Sequence, residues 1–130
     1  MNQFQFHGEE TPEECAASPL PWFKAFRMGE DFAVDALERY DAPAHLLDAF
    51  HPDVRGGSGR GADWSLAAQA ARRFRIILAG GLGPENILSA VETVLPAAVD
   101  VNSGVESAPG VKDHALLARL MARLADGGYR

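Results

Sequence analysis

Two loops of small residues and two aspartates are the parts of this sequence that could do chemistry. Gly80-Gly81 follows the apolar run Arg75–Ala79, and Ser103-Gly104 follows the run Ala98–Asn102. Glycine after a strand lets a ligand approach the backbone. The free N–H groups where a helix opens, here at Pro84-Glu85-Asn86, attract anions such as phosphate. Gly-Gly also serves as a bare turn, and the spacing fits neither a Walker loop nor a G-x-G-x-x-G fingerprint. Two such loops after successive strands favour phosphate, because α/β barrels commonly share one phosphate between the loops after their last two strands.

Asp48 lies in Leu46-Leu47-Asp48-Ala49 and Asp100 in Val99-Asp100-Val101. Burying an acid inside an apolar strand is costly unless it has a partner or a role. At the C-terminal end of a strand it stands where barrel enzymes keep their acids and bases. A carboxylate bonded to a nearby backbone N–H is the other account of each. Cys15, in a short helix behind two glutamates, reads as a packed thiol rather than a nucleophile. His7 ends a strand and can face a ligand. His45, His51 and His114 lack the spacing of a zinc site, so no metal is expected. Lys24 projects from the second strand and reads as exposed or salt-bridged, with an anionic ligand as the other reading.

The elements that must position these groups alternate between short apolar runs and helical patterns, as in a parallel α/β sheet. Phe4–Gly8 is a brief strand, and Thr11, Pro12 and Glu14 spell a capping box with proline at the first helical position. Trp22–Met28 is the second strand, followed by a helix with Ala33, Ala36, Leu37 and Tyr40 on one face. Ala44–Ala49 is the third, leading into the glycine-rich segment Phe50–Ala62, a loop of the kind that often carries function. A helix from Asp63 to Arg73 precedes the fourth strand, Arg75–Ala79, the most apolar of the set. Pro84 opens a helix with Ile87, Leu88, Val91, Val94 and Leu95 at helical spacing, and Ala98–Asn102 is the fifth strand. A last helix from Asp113 places Leu116, Leu117, Leu120, Met121 and Leu124 on one stripe. Five strand-helix units fit either a doubly wound open sheet or part of a (βα)8 barrel, and periodicity does not choose between them.

Composition narrows the function classes. The chain has 130 residues, 47% of them hydrophobic and 23% charged, which suits one small globular domain. Twelve Lys and Arg against eighteen Asp and Glu give a net charge of −6, which argues against a nucleic-acid partner. A single cysteine excludes an internal disulfide and a cysteine-based zinc site. No run is long enough for a membrane span and no signal peptide is evident, so the expected compartment is the cytoplasm.

In order along the chain, several motifs together resemble phosphoribosylanthranilate isomerase. They are Phe4-Gln5-Phe6-His7-Gly8-Glu9-Glu10, Leu46-Leu47-Asp48-Ala49, Gly56-Gly57-Ser58-Gly59 with Asp63-Trp64, Leu78-Ala79-Gly80-Gly81-Leu82 with Pro84-Glu85-Asn86, and Val99-Asp100-Val101-Asn102-Ser103-Gly104-Val105-Glu106 with Pro109-Gly110-Val111-Lys112-Asp113. The resemblance implies a (βα)8 barrel of tryptophan biosynthesis that performs an Amadori rearrangement of N-(5-phosphoribosyl)anthranilate, a phosphorylated small molecule, without metal or organic cofactor. It implies Asp48 as the general acid that opens the furanose ring, Asp100 as a second catalytic aspartate near the anthranilate amine, and Gly80, Gly81, Asn102, Ser103 and Gly104 as the phosphate loops.

Four departures accompany it. Asn102 stands where the family usually has serine, and Arg60 where it has lysine, keeping the charge but not the shape. The family's general-base cysteine lies on a first strand with no counterpart here, and Cys15 does not match it; the arginine for the anthranilate carboxylate is also absent. The chain thus reads as one domain, residues 1–130, holding the fourth to eighth βα units of the barrel, kept as an arc or rearranged to an open parallel sheet. It is expected to be inactive or weak alone, and to self-associate or pair with a chain that supplies the missing strands. The alternative is a non-catalytic phosphate-binding or structural barrel fragment.

Overall fold

The computed structural model of the protein describes residues 2–29, 31–49 and 64–129. The glycine-rich loop with Gly56, Gly57, Ser58, Gly59 and Arg60 lies outside them. Five parallel strands form the sheet: β1 (Phe4–Phe6), β2 (Trp22–Arg27), β3 (His45–Asp48), β4 (Ile76–Ala79) and β5 (Ala98–Val99). Their spatial order is their chain order, β1-β2-β3-β4-β5. A doubly wound sheet must reverse its order at a switch point. Consecutive parallel neighbours wound in one direction are instead the arc of a (βα)8 barrel, so the open doubly wound alternative is overturned.

Register sorts the side chains by face. Phe26 pairs with Leu47, Leu47 with Leu78, and Leu78 with Val99, and this row enters the apolar core. Arg27 pairs with Asp48, and Asp48 with Ala79, one residue on and so on the opposite face. The Asp100 N–H donates to the Leu78 carbonyl at 2.8 Å, which carries the ladder one residue past β5 and sets Asp100 beside Ala79.

Helices α1 (Pro12–Ala16), α2 (Trp64–Arg73), α3 (Ile87–Val94) and α4 (His114–Asp126) complete the arc. The Thr11–Glu14 capping box forms as expected: the Thr11 hydroxyl accepts from Glu14 N–H at 3.2 Å, and the Glu14 carboxylate accepts from Thr11 N–H at 2.7 Å. Asp113 caps α4 by accepting from the N–H groups of Ala115 and Leu116. Ala67 and Ala70 of α2 and Ile87, Ala90, Val91 and Val94 of α3 are buried against the sheet.

Four expectations need correction. Residues Val34–Arg39 form a 3-10 helix, not an α-helix. Its period of three turns Val34, Leu37 and Tyr40 inward, with Leu37 fully buried, and leaves Ala33 exposed. Helix α3 starts at Ile87 rather than Pro84, because Gly83–Asn86 is spent on a turn whose Gly83 carbonyl accepts from Ile87 N–H at 2.9 Å. The stripe on α4 is split: Leu120 is buried, whereas Leu117 and Met121 are 42% and 53% exposed, on a flank that no described element covers. A hairpin of β6 (Glu106–Ala108) and β7 (Val111–Lys112), absent from the periodicity reading, precedes α4.

His45, on the helix-facing side of β3, is buried with its ring edge-on to Phe26 and Phe74, and its Nδ1 has no hydrogen-bond partner. Burial lowers its pKa below the usual 6.5. A depressed folded-state value means the unfolded chain takes up the proton first, so stability is full above pH 6.5 and falls as pH drops through the folded value. His45→Leu removes both the titration and the unpaired nitrogen. Urea unfolding is expected to show a gain of about 1 kcal/mol at pH 7.5, widening at pH 5.5; a gap that stays constant with pH would contradict this.

Candidate active site

At the C-terminal ends of the strands the sheet opens into a cleft of about 940 Å³, lined by His7, Arg27, Asp48, Gly80, Gly81, Asp100, Asn102 and Ser103 among others. The end of each parallel strand delivers its own group: His7 after β1, Arg27 from β2, Asp48 from β3, Gly80-Gly81 after β4, and Asp100 with Asn102-Ser103 after β5. Every site residue singled out from the sequence, except Gly104, reaches this cleft.

Asp48 is half-buried as the last residue of β3. Asp100 is exposed and lies just beyond β5, which ends at Val99. The argument from a costly buried acid therefore holds for Asp48 and not for Asp100. Among the cleft carboxylates the two flank Ala79, so a ligand placed over that residue meets both.

The loop after β4 is held open by its own backbone. Gly80 and Gly81 adopt φ of 95° and 67°, the left-handed region that disfavours a side chain. Asn86, buried at the head of α3, fastens them: its Oδ1 accepts from Gly83 N–H and its Nδ2 donates to the Gly81 carbonyl, both at 2.8 Å. Asn86 stood out in the sequence as a helix-opening residue. Its side chain spans the loop instead and makes no cap bond.

The loop after β5 is fastened by the hairpin. Lys112 donates to the Asn102 carbonyl at 3.2 Å and to its Oδ1, and pairs with Glu106 at 3.4 Å. With Oδ1 turned to Lys112, the Asn102 side chain keeps Nδ2 as its donor. Gly104 is set back from the cleft: a Cβ there would come within 1.8 Å of the Leu82 carbonyl oxygen, so the two loops touch at this residue.

Lys24 proves to be the salt-bridged reading. Only 4% exposed, it donates to the Gly8 carbonyl at 2.8 Å and pairs with Glu10 at 3.6 Å, beneath the rings of Phe26 and Tyr40. It thereby pins the turn that follows His7. The Gly8 N–H bonds to Glu10, and with Lys24 nearby this holds the Glu10 carboxyl below its ordinary range. Cys15 is buried away from the cleft, and burial pushes its thiol pKa up, against a nucleophile. Among the described residues no group of three or more His, Cys, Asp or Glu could hold a metal, and no helix is long and apolar enough to cross a membrane.

Arg27 went unremarked in the sequence. The signal was present: residues two apart on a strand share a face, and Arg27 closes β2 as Asp48 closes β3. Its guanidinium makes no hydrogen bond or ion pair among the described residues.

Residues 1–123 match the family model described as N-(5'phosphoribosyl)anthranilate (PRA) isomerase. The chain belongs to that family. N-(5'-Phosphoribosyl)anthranilate isomerase of Geobacter metallireducens is 49% identical over 119 residues, covering 92% of this chain and 59% of the relative. Its counterpart in Acinetobacter calcoaceticus is 43% identical and covers all of this chain and 64% of the relative. The crystal structure of the phosphoribosyl anthranilate isomerase of Thermotoga maritima matches with a TM-score of 0.80 at 42% identity, over 97% of this chain and 62% of that one. A second isomerase structure, in complex with reduced 1-(o-carboxyphenylamino)-1-deoxyribulose 5-phosphate, matches with a TM-score of 0.74 at 36% identity, over 97% and 60%. The chain thus spans about three fifths of the length of the isomerases it matches.

Proposed function

We propose that this chain supplies the acid and phosphate sites for the Amadori rearrangement of N-(5'-phosphoribosyl)anthranilate in tryptophan biosynthesis. The observation that carries the reading is the convergence of Asp48, Asp100 and two backbone-lined loops on one cleft at the strand ends. Phosphate sits against Gly80, Gly81, Asn102, Ser103 and, through its backbone, Gly104. Asp48 gives its proton to the furanose ring oxygen while the anilino nitrogen lone pair pushes out the C1' to ring-oxygen bond, leaving a Schiff base. Asp100 faces the nitrogen. Removal of the C2' proton by a base then yields the enolamine, which becomes the ketose, and the reaction needs no metal or organic cofactor.

That base is not Cys15, which is buried outside the cleft. It comes from a segment with the character of the family's first three units, which this single domain meets through its open edges. Among the described residues β1 and β5 each have one neighbour in the sheet, and Leu117 and Met121 lie exposed on α4. An unpaired strand edge and exposed apolar side chains each favour such pairing, or pairing with a second copy.

The test is an isomerase assay on the purified chain, alone and mixed with a separately expressed segment covering the first three βα units of the Geobacter metallireducens relative. Turnover in the mixture and little or none in either part is the expected result. A folded chain that binds inorganic phosphate yet gives no turnover in the mixture would favour the binding module over the enzyme.

A further inference from the structure

The hairpin after β5 stands outside the cleft and touches it through one residue. Lys112 does not line the cleft, whereas Asn102 and Ser103 do. Glu106 and Lys112 face each other across β6 and β7, so the antiparallel register sets where the lysine side chain starts. Its charge is answered by Glu106, whose carboxylate also accepts from Gly110 N–H at 2.9 Å and so ties the turn of the hairpin to the same pair. The Asp113 N–H donates to the Val105 carbonyl at 2.7 Å, which draws the hairpin onto the short 3-10 turn Ser103–Val105. Held in this way, the Lys112 ammonium donates to both the Asn102 carbonyl and Asn102 Oδ1.

A primary amide has two unlike ends, and an anion tells them apart: Nδ2 donates to it and Oδ1 repels it. An ammonium is a donor only, so beside Lys112 the amide must present Oδ1, and turning it over would cost a charge-assisted hydrogen bond. Nδ2 is left on the other side, where it meets no acceptor among the described residues. We infer that Lys112 is a positioning residue that acts through Asn102, locking the amide so that Nδ2 joins the backbone donors of the two loops toward the phosphate. This rests on the function proposed above, in which Asn102 belongs to the phosphate loops. The serine that the family resemblance puts at this position has no such need, because a hydroxyl turns its one proton to whatever acceptor arrives. Asparagine has that need, and the hairpin of this chain meets it.

The experiment is a double-mutant cycle read by calorimetric titration of the chain with inorganic phosphate. Lys112→Met keeps the stem and removes the donor, and Asn102→Ala removes the amide. Each is expected to weaken phosphate about 5- to 10-fold, as for one hydrogen bond at a solvent-facing site, and the double variant to bind no more weakly than either single one. Losses that multiply in the double variant overturn the inference, because the lysine then acts by its charge or through the loop backbone and not through the amide. Unchanged affinity in either single variant overturns it too. Lys112→Met is also made in the Asn102→Ser chain, where it is expected to change affinity by less than about twofold; equal weakening in the asparagine and serine chains overturns the inference. This second comparison stands even if Lys112→Met lowers stability in urea unfolding, since both chains then carry the same loss. A parent chain that binds no inorganic phosphate overturns the inference and the phosphate site of the proposed function together.

Discussion

Asp48→Asn is expected to lower turnover of the complemented chain by about 10²- to 10⁴-fold, the usual contribution of a general acid, and to leave inorganic phosphate affinity within a few-fold. The substitution keeps the size and the backbone of the residue. The Asp48 carbonyl still accepts from Met28 N–H at 3.0 Å, and the pairing with Arg27 and Ala79 on either side is untouched. What it removes is the proton that the ring oxygen must receive as its bond to C1' breaks. The phosphate loops follow other strands, β4 and β5. The separation of the two readouts is therefore the diagnostic. Equal loss of turnover and phosphate affinity would make Asp48 a structural residue and remove it from the chemistry.

Gly104→Ala is expected to have the largest effect on the fold of the site. The added Cβ would lie 1.8 Å from the Leu82 oxygen, 2.8 Å from the Leu82 carbonyl carbon and 3.0 Å from Gly83 Cα. All three are backbone atoms, so no rotamer relieves the clash and the loops after β4 and β5 must part. Overpacking costs about 1–3 kcal/mol and more where the neighbour has no room to give, so a loss near 3 kcal/mol in urea unfolding is expected. Phosphate affinity should fall about tenfold or more, which corresponds to 1.4 kcal/mol or above, because the donors on the two loops no longer converge. Gly110→Ala is the control. Its φ of +79° makes an alanine strained, but nothing lies within 4 Å of the added carbon. It should cost about 1 kcal/mol and spare phosphate. A Gly104→Ala chain of parent stability and parent affinity would show that the loops act independently.

The features legible in the sequence were those whose partners lie within a few residues. Thr11 and Glu14 are three apart and form the box their order spells. Asp113 caps α4 from two and three residues away. The runs Ala44–Ala49 and Arg75–Ala79 became β3 and β4, and the small residues following β4 and β5 became loops at one end of the sheet. Other details were hidden for equally local reasons. Val34–Arg39 carries a pattern that a period of 3.0 and a period of 3.6 satisfy almost equally over two turns. The α4 stripe was read as one face, although only part of it meets α3 and the turn after β5.

By itself, then, the sequence determined the alternation of strands and helices, the capped ends of α1 and α4, the position of Asp48 at a strand end, and the family, whereas Asp100, expected within the fifth strand, lies just beyond it. The tertiary structure decided the order of the strands, and with it the barrel arc over the doubly wound sheet. It also decided the burial of Lys24 against Gly8 and Glu10, the contact of Gly104 with Leu82, and the place of Arg27 beside Asp48. The division has one physical cause. Helix periods, caps and turns are chosen by forces acting over a few residues, so one stretch of sequence specifies them. Which loops touch and which charges share a cleft depend on contacts between residues far apart in the chain, such as Lys24 with Gly8 and Gly104 with Leu82, and these exist only once the strands have packed side by side.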